Sequence, residues 1–209
     1  MNLKSELDSW NLKDPELRKL KLEREWVRYP YLIKKLGLDN LLYLEDKSVL
    51  DIGSGPMGGI LQFLPCKKKY SLDPLNHEYT ENFPEFFNPN ITYLSGVAEQ
   101  SNFIDDVDLV TCMNALDHCE DPDKVMENIK TALAPSGYLA LSFCINLAVN
   151  HPHEAHPHNL DSEWLHKIID SDYETIFEVE DKYGWVKWNN KVGQPCLYGL
   201  YRITTKEVT

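Results

Sequence analysis

Side chains that can accept a proton or bind a metal ion are concentrated in two segments of the chain. The first contains Asn114, Asp117 and His118, in the sequence Asn-Ala-Leu-Asp-His. An imidazole can accept a proton near neutral pH, and a neighbouring carboxylate can orient it or join it in holding a divalent cation. This segment predicts one of three things: a general base, a weak magnesium site, or local loop structure without chemistry.

The second segment, residues 145–159, is long for a simple connection and contains four histidines within eight residues. Four imidazoles could bind zinc or nickel. Because these histidines alternate with prolines, we expect an extended segment in which neighbouring side chains point apart. We therefore favour the wall of a substrate cleft over a metal site. The predicted substrate contacts of this segment are His153, His156 and His158.

A third pattern indicates a binding turn rather than a catalyst. Residues 48–52 are typical of a short buried strand, and Gly53 and Gly55 then let the backbone turn sharply and approach a ligand closely. Gly58 and Gly59 are predicted to open a helix. The glycine spacing also fits a dinucleotide fingerprint, but a pyrophosphate would be repelled by the carboxylate of Asp51. A ligand with an ammonium and a sulfonium group would be attracted instead.

Residues 49–55, Val-Leu-Asp-Ile-Gly-Ser-Gly, resemble the first motif of class I S-adenosylmethionine-dependent methyltransferases. The resemblance implies that Asp51, Gly53 and Gly55 bind S-adenosyl-L-methionine. Asp73 follows Asp51 by 22 residues, at the end of the second predicted strand. A carboxylate at that position can accept hydrogen bonds from both ribose hydroxyls, which is also the role the family gives it.

Two further elements carry the same resemblance. Residues 96–99, Gly-Val-Ala-Glu, resemble a family loop in which an acid accepts a hydrogen bond from the adenine amino group. Val97 replaces that acid here, so backbone groups would have to serve the adenine. The cofactor contacts predicted for this region and the end of the fourth strand are Val97, Ala98, Glu99, Met113 and Asn114.

The segment 114–118 resembles the Glu-x-x-Glu-His element of quinone-biosynthesis O-methyltransferases, in which the acids and the histidine can hold a divalent metal. Asn114 and the shorter Asp117 replace the two glutamates, so a hard cation would bind more weakly. We predict His118 as the catalytic base and Asp117 as its partner. A metal held by Asn114, Asp117 and His118 is the alternative.

Strand and helix patterns alternate along the chain as far as Phe143, which predicts a mainly parallel sheet. The last two strand patterns follow each other without a helix and should pair antiparallel. The predicted fold is α/β: a Rossmann-like, doubly wound, mainly parallel seven-stranded sheet with an antiparallel last strand, preceded by N-terminal helices. The predicted strands span 48–52, 68–72, 91–95, 106–112, 138–144, 173–180 and 196–204.

The N-terminal residues 1–47 are predicted to form a helical cap segment, followed by a methyltransferase domain over residues 48–209. We expect Pro30 to break or restart the helix that begins after Asp14. In the family such a segment packs over the cofactor and substrate cleft. A packed helix pair without ligand contact is the alternative. Tyr29 and Tyr31 are the predicted substrate contacts of the cap.

Composition limits the possible partners. The 209 residues carry a formal net charge of −12, which argues against nucleic acid and anionic membranes as partners. The five cysteines do not pair into a zinc motif, and their number favours a reducing compartment. We find no signal-peptide pattern and no apolar run approaching the ~18 residues of a membrane span. These features predict a cytoplasmic protein.

The predicted function is methyl transfer from S-adenosyl-L-methionine to an oxygen or nitrogen atom of a small-molecule acceptor. An NAD-type nucleotide-dependent oxidoreductase is one alternative, disfavoured by Asp51 and by the antiparallel end of the sheet. A methyltransferase-like domain that binds cofactor or a partner without catalysis is the other. The replacement at Val97 supports that second alternative.

Overall fold

The computed structural model describes residues 3–10, 14–40, 44–100, 104–146, 156–181 and 195–204, without the side chains of residues 5 and 40. The strands are β1 (Ser48–Ile52), β2 (Lys68–Leu72), β3 (Ile91–Leu94), β4 (Val107–Met113), β5 (Leu133–Cys144), β6 (Tyr173–Asp181) and β7 (Cys196–Ile203). They form a seven-stranded sheet in the order β3-β2-β1-β4-β5-β7-β6. Strands β1 to β5 pair in parallel, and β7 pairs antiparallel with both β5 and β6. The predicted Rossmann-like sheet is confirmed.

Five α-helices in the described residues surround the sheet: α1 (Leu3–Trp10), α2 (Pro15–Lys35), α3 (Asn76–Asn82), α4 (Pro122–Ala132) and α5 (Ser162–Ile169). Asp14, Asp121 and Asp161 cap α2, α4 and α5, each accepting a backbone N–H of the first turn. These caps satisfy donors that have no partner within the helix. None of the described helices combines the length and apolar character needed to cross a membrane.

Both faces of the sheet are covered, because neighbouring residues of a strand point to opposite sides. On one face, Val49 belongs to a core that includes Leu32 of α2. On the other face, Leu50 packs in a core with Val125 and Ile129 of α4. The sheet is therefore buried between helices, and its carboxyl edge is left to form a site.

Helix α2 runs through Pro30 without a break, so the expected interruption is wrong. A proline inside a helix removes one hydrogen bond. Tyr29 and Leu32, on either side of Pro30, are 8% and 0% exposed. Burying these side chains against the sheet compensates for the lost bond.

The prediction of a helix directly after the glycine turn is also wrong. Only a short 3-10 turn, Gly59–Gln62, follows β1. Gly58 and Gly59 have φ angles of 67° and 56°, which a right-handed helix does not contain. Pro65 lies three residues beyond this turn and prevents its extension.

Lys21 links helices α1 and α2, which we call the cap helices. Lys21 Nζ donates to the backbone oxygen of Ser9 over 2.8 Å and lies 3.9 Å from the ring centroid of Trp10. The proposed division into a cap segment, 1–47, and a domain, 48–209, stays a prediction.

Candidate functional site

A cavity of about 360 Å³ lies at the carboxyl ends of β1, β2 and β4, where Ile52, Leu72 and Met113 reach its wall. Both cap helices contribute to the same wall, including Trp10 of α1 and Tyr29 of α2. Open α/β sheets bind ligands at this edge. Of the two expectations for the N-terminal helices, the structure therefore agrees with packing over the cleft.

The side chain of Asp51 packs against the glycine turn and helps to fix its shape. This side chain is 2% exposed, and its carboxylate accepts Thr111 Oγ1 over 2.6 Å and the backbone N–H of Ile60. A Cβ on Gly59 would lie 1.9 Å from Asp51 Oδ2, so only glycine fits there. Burial raises the pKa of Asp51 to about 7. Asp51 thus supports the turn and does not line the cavity, in contrast to the direct contact expected from the sequence.

Gly53 has a second structural constraint. Its φ is 69°, and a Cβ would lie 2.3 Å from the Cβ of Ala115. The N–H of Gly53 donates to the carbonyl of Leu72 over 2.8 Å. The turn is therefore held tightly between β2 and the loop after β4, with Gly53 and Gly55 on the cavity wall.

Asp73 lies on the cavity wall at the end of β2, as predicted, and is 7% exposed. Its Oδ2 accepts the N–H of Gly55 over 3.0 Å, and its Oδ1 accepts the N–H of Leu75 over 2.9 Å. Burial raises the pKa of this carboxyl to about 6 although both N–H groups lower it. Each oxygen keeps a lone pair for a further donor.

The other predicted cofactor residues divide into two groups. Val97, Ala98, Met113 and Asn114 line the cavity. The side chain of Glu99 instead accepts the N–H of residue 120 over 2.7 Å and so fixes the start of α4. Glu99 is not among the residues that line the cavity, and its contact with the cofactor stays a prediction.

Three titratable side chains meet at one end of the cavity. Asp117 is fully buried, and its Oδ2 lies 2.7 Å from His156 Nδ1. The ring centroids of His118 and His156 are 4.2 Å apart, and both rings line the cavity. Burial alone would raise the pKa of Asp117, but the hydrogen bond to His156 and the two nearby imidazoles hold it below its ordinary value. His118 Nδ1 also lies 3.9 Å from Glu6 Oε2 of α1.

The predicted substrate residues are only partly brought together. Tyr29 and His156 line the cavity, whereas Tyr31 is 40% exposed and lies outside it. His158 points elsewhere, with Nε2 2.9 Å from the carbonyl oxygen of Cys119. His153 lies outside the described residues.

His156 joins two of the three predicted metal ligands. Among the described residues, Asp117, His118 and His156 place one ligand atom each within 4.8 Å of one another. The Oδ1 of Asn114, the third predicted ligand, accepts a hydrogen bond from Cys144 Sγ over 3.3 Å. Two imidazoles and one carboxylate suit a transition metal better than magnesium, which prefers oxygen ligands.

A buried ion cluster in α2 was missed by the sequence analysis. Glu25 is 3% exposed and accepts Arg24 Nη2 over 2.6 Å and Arg28 Nη1 over 3.0 Å. All three residues line the cavity. The four-residue spacing of the two arginines, which puts them on one helical face, was the available signal.

Comparison with known proteins agrees with this geometry. Residues 50–141 match a family model described as a methyltransferase domain. The chain is 28% identical over 142 residues to a tRNA U34 carboxymethyltransferase of Campylobacter fetus, covering 66% of this chain and 49% of the relative. It is 30% identical over 115 residues to a mitochondrial ubiquinone biosynthesis O-methyltransferase of Schizosaccharomyces pombe, covering 46% and 37%. The chain thus spans about half or less of these curated relatives.

Solved structures share the fold. A chain from the Haloferax volcanii complex between the Trm112 methyltransferase activator and a methyltransferase matches with a TM-score of 0.72 and 15% identity, over 96% of this chain and 98% of that one. The N-methyltransferase NodS of Bradyrhizobium japonicum, in complex with S-adenosyl-L-homocysteine, matches with a TM-score of 0.65 and 18% identity, over 97% of each. The resemblance to class I methyltransferases drawn from the sequence is confirmed.

Proposed function

Because the chain carries a methyltransferase domain within the class I methyltransferase fold, we propose that it transfers a methyl group from S-adenosyl-L-methionine to a small molecule. The observation that carries the proposal is the cavity at the carboxyl edge of the sheet, with the buried carboxylate of Asp73 on its wall. When bound, S-adenosyl-L-methionine supplies a methyl group already activated by a sulfonium. The protein then has mainly to position the two reactants.

Different parts of the cavity wall suit different chemical groups of this cofactor. Asp73 offers two carboxylate oxygens to ribose hydroxyls, and the turn through Gly53 and Gly55 lets the chain pass close beside the ligand. Val97 and Ala98 line the cavity, and their carbonyl oxygens already accept the N–H of Gln100 and Asn128 Nδ2, so their backbone N–H groups are the ones we assign to an adenine. Since Val97 has no acid to offer, adenine recognition rests on backbone groups and shape.

The two arginines of the ion cluster in α2 can bind an anionic group of a ligand. Arg24 and Arg28 place two guanidinium groups around the single carboxylate of Glu25, so the cluster itself carries a formal charge of +1. A guanidinium binds a carboxylate through paired hydrogen bonds. We assign this part of the cavity to the carboxylate of the methionine portion of the cofactor or to an acid group on the acceptor.

The proposed base is His156, held by Asp117. Their 2.7 Å contact lets Nδ1–H donate to the carboxylate and orients the ring, so Nε2 is the nitrogen that would accept a proton from a hydroxyl or ammonium group of the acceptor. The sequence prediction assigned this role to His118. His118 lies beside His156 in the cavity, and we assign it to contact with the acceptor.

Because some curated relatives are named tRNA U34 carboxymethyltransferases, tRNA is a second possible class of acceptor. The net charge of −12 disfavours a polyanion, because each phosphate contact would have to overcome the repulsion of the whole protein. We therefore favour a small acceptor with a hydroxyl or amino group. Methylation of a bulk tRNA fraction, with transfer abolished by ribonuclease, would overturn this choice.

Binding calorimetry tests the cofactor assignment. The purified chain should bind S-adenosyl-L-homocysteine and S-adenosyl-L-methionine at micromolar levels, and NAD far more weakly. Comparable binding of NAD would favour the oxidoreductase alternative. Binding of S-adenosyl-L-homocysteine without turnover on any acceptor would favour the non-catalytic alternative.

Our second proposal is that Asp117, His118 and His156 bind a divalent metal ion. Asp117 Oδ1 is buried and has no hydrogen-bond partner among the described residues, so this atom could face a cation. The site would then hold the acceptor oxygen instead of removing its proton. Loss of activity with a chelator and recovery with a divalent metal would support the metal; activity unchanged by chelator would support the base.

A further inference from the structure

Two cysteines lie opposite each other at the ends of β5 and β7. Cys144 pairs with Cys196 in the antiparallel register, and their sulfur atoms are 3.1 Å apart as free thiols. The N–H of Ile145 donates to the carbonyl of Pro195 over 2.8 Å, which makes residues 144 and 196 a non-hydrogen-bonded pair. Cα atoms of such pairs lie about 4.5 Å apart. This separation is within the range that a disulfide requires.

The pair is directly connected to the cavity. Cys144 Sγ donates a hydrogen bond to Asn114 Oδ1, and Asn114 lines the cavity. The backbone of Asn114 has a φ of 57°, and its N–H donates to the carbonyl of Ser142 over 2.6 Å. Asn114 is therefore held by β5 from two sides, and one of these two contacts is the thiol.

We propose that Cys144 and Cys196 form a reversible disulfide under peroxide, and that its formation weakens cofactor binding at Asn114. The second half of this proposal rests on the function proposed above. The strand register already aligns the two residues, so the disulfide requires no change in strand pairing. The modification is therefore built into the sheet and does not depend on a mobile loop.

The chemistry needs only hydrogen peroxide as the oxidant. A thiolate attacks one peroxide oxygen, the O–O bond breaks, and a sulfenic acid and hydroxide form. The second thiol then attacks the sulfenic sulfur and releases water, so two thiols and one peroxide give one disulfide and two waters. Because the two sulfur atoms lie 3.1 Å apart, either thiol can be oxidised first and the other can then reach it.

Oxidation removes the S–H donor from Cys144. Asn114 Oδ1 then loses its partner, and the side chain is free to rotate away from its place on the cavity wall. Loss of one such bond should lower the affinity for S-adenosyl-L-homocysteine about two- to tenfold.

The test treats the reduced chain with hydrogen peroxide and maps the non-reduced tryptic peptides by mass. The expected result is one linked pair containing Cys144 and Cys196, with the mass of two hydrogen atoms lost and restored by dithiothreitol. Calorimetry on the same samples should give the two- to tenfold lower affinity for S-adenosyl-L-homocysteine. Absence of the linked peptide, or links spread over Cys66, Cys112 and Cys119, would overturn the disulfide.

Two variants separate the disulfide from general oxidation. Cys196→Ser keeps the thiol of Cys144 and should bind S-adenosyl-L-homocysteine equally with and without peroxide. Cys144→Ala removes the donor and should show the lower affinity even when reduced. A linked peptide without any change in affinity would overturn the coupling to Asn114. If the reduced wild type does not bind S-adenosyl-L-homocysteine, the proposed function fails, while the peptide map still decides the disulfide.

Discussion

Three buried aspartates around the cavity differ because their hydrogen-bond donors differ. Asp51 receives a hydroxyl and a backbone N–H behind the turn, and its pKa is raised by burial to about 7. Asp73 receives two backbone N–H groups at the cavity wall, and its pKa is raised to about 6. Asp117 receives an imidazole, and its pKa is lowered. The same residue type therefore supports the turn at Asp51, whereas we propose that Asp73 binds the cofactor and that Asp117 positions His156.

The raised pKa of Asp73 gives a pH-dependent binding prediction. Ribose hydroxyls donate more strongly to a carboxylate than to a carboxylic acid, so binding of S-adenosyl-L-homocysteine should weaken as the pH falls below about 6. Asp73→Asn should lower affinity by about ten- to a hundredfold at pH 7.5 and remove most of this pH dependence. The exposed Glu163→Gln serves as the control and should keep the wild-type profile. Calorimetry from pH 5 to 8 is the measurement; a wild-type profile in Asp73→Asn contradicts the ribose assignment.

The imidazole pair gives a kinetic prediction once an acceptor is identified. His156→Ala should lower kcat by about 10²–10⁴ and leave the affinity for S-adenosyl-L-homocysteine nearly intact, because the base acts only on the acceptor. Asp117→Asn should lower kcat less, since the imidazole stays but loses its orientation. The exposed His77→Ala is the matched control. A larger loss in His118→Ala than in His156→Ala would return the role of base to His118.

Sequence reasoning found Asp117 and His118 because they are adjacent in the chain. It placed His156 in a cleft wall, since nothing local shows that a residue 39 positions later meets Asp117. For the same reason it could not show that Asp51 meets Thr111 on the neighbouring strand β4. Residue types and spacing identify candidates; long-range packing decides which atoms they meet.

At the level of elements, the cap helices close the cavity, and α2 contains its ion cluster. Its apolar face packs on the sheet, while Arg24, Glu25 and Arg28 interrupt that face at the cavity. Six of the seven strands lie within one residue of their predicted bounds, because buried strands are short apolar runs bounded by turn residues; β5 begins at Leu133, five residues before its predicted start. The break at Pro30 was wrong, because tertiary burial outweighs a local preference.

The ion cluster should also stabilise the fold. Glu25→Ala leaves two partly buried guanidinium groups without their shared carboxylate, and should lower the free energy of unfolding by about 2–4 kcal/mol. Glu23→Ala on the same helix removes an exposed carboxylate 3.9 Å from Lys19 and should change it by less than about 0.5 kcal/mol. Urea denaturation measures both. Equal effects of the two substitutions would contradict the prediction that the ion cluster stabilises the fold.

For the whole molecule, the raised pKa values predict how stability varies with pH. In the unfolded chain both carboxyls titrate near 3.8, whereas in the folded chain Asp73 titrates near 6 and Asp51 near 7. The folded state therefore binds more protons between about pH 4 and 7, and stability falls as pH rises through this window. Acidifying the ligand-free protein from pH 8 to 5.5 should raise the contribution of Asp51 to the unfolding free energy by roughly 1–2 kcal/mol.

This prediction is tested by comparing how the free energy of unfolding changes with pH in two variants. On acidification, Asp51→Asn should gain less unfolding free energy than the wild type, whereas the exposed Glu163→Gln should gain as much as the wild type. Unfolding in urea at pH 5.5, 7 and 8 supplies the values. A gain in Asp51→Asn as large as that of the wild type would contradict the assignment to this buried carboxyl.

The order of the strands also has a consequence for synthesis on the ribosome. Strand β7 is made after β6 and β5, yet it lies between them and is the partner through which both complete their pairing. Until residues 196–203 have emerged, β5 presents a long apolar edge and β6 has no neighbour. Unpaired edges are templates for association with other chains. A nascent chain stalled before Pro195 is thus the state in which this protein most needs a chaperone.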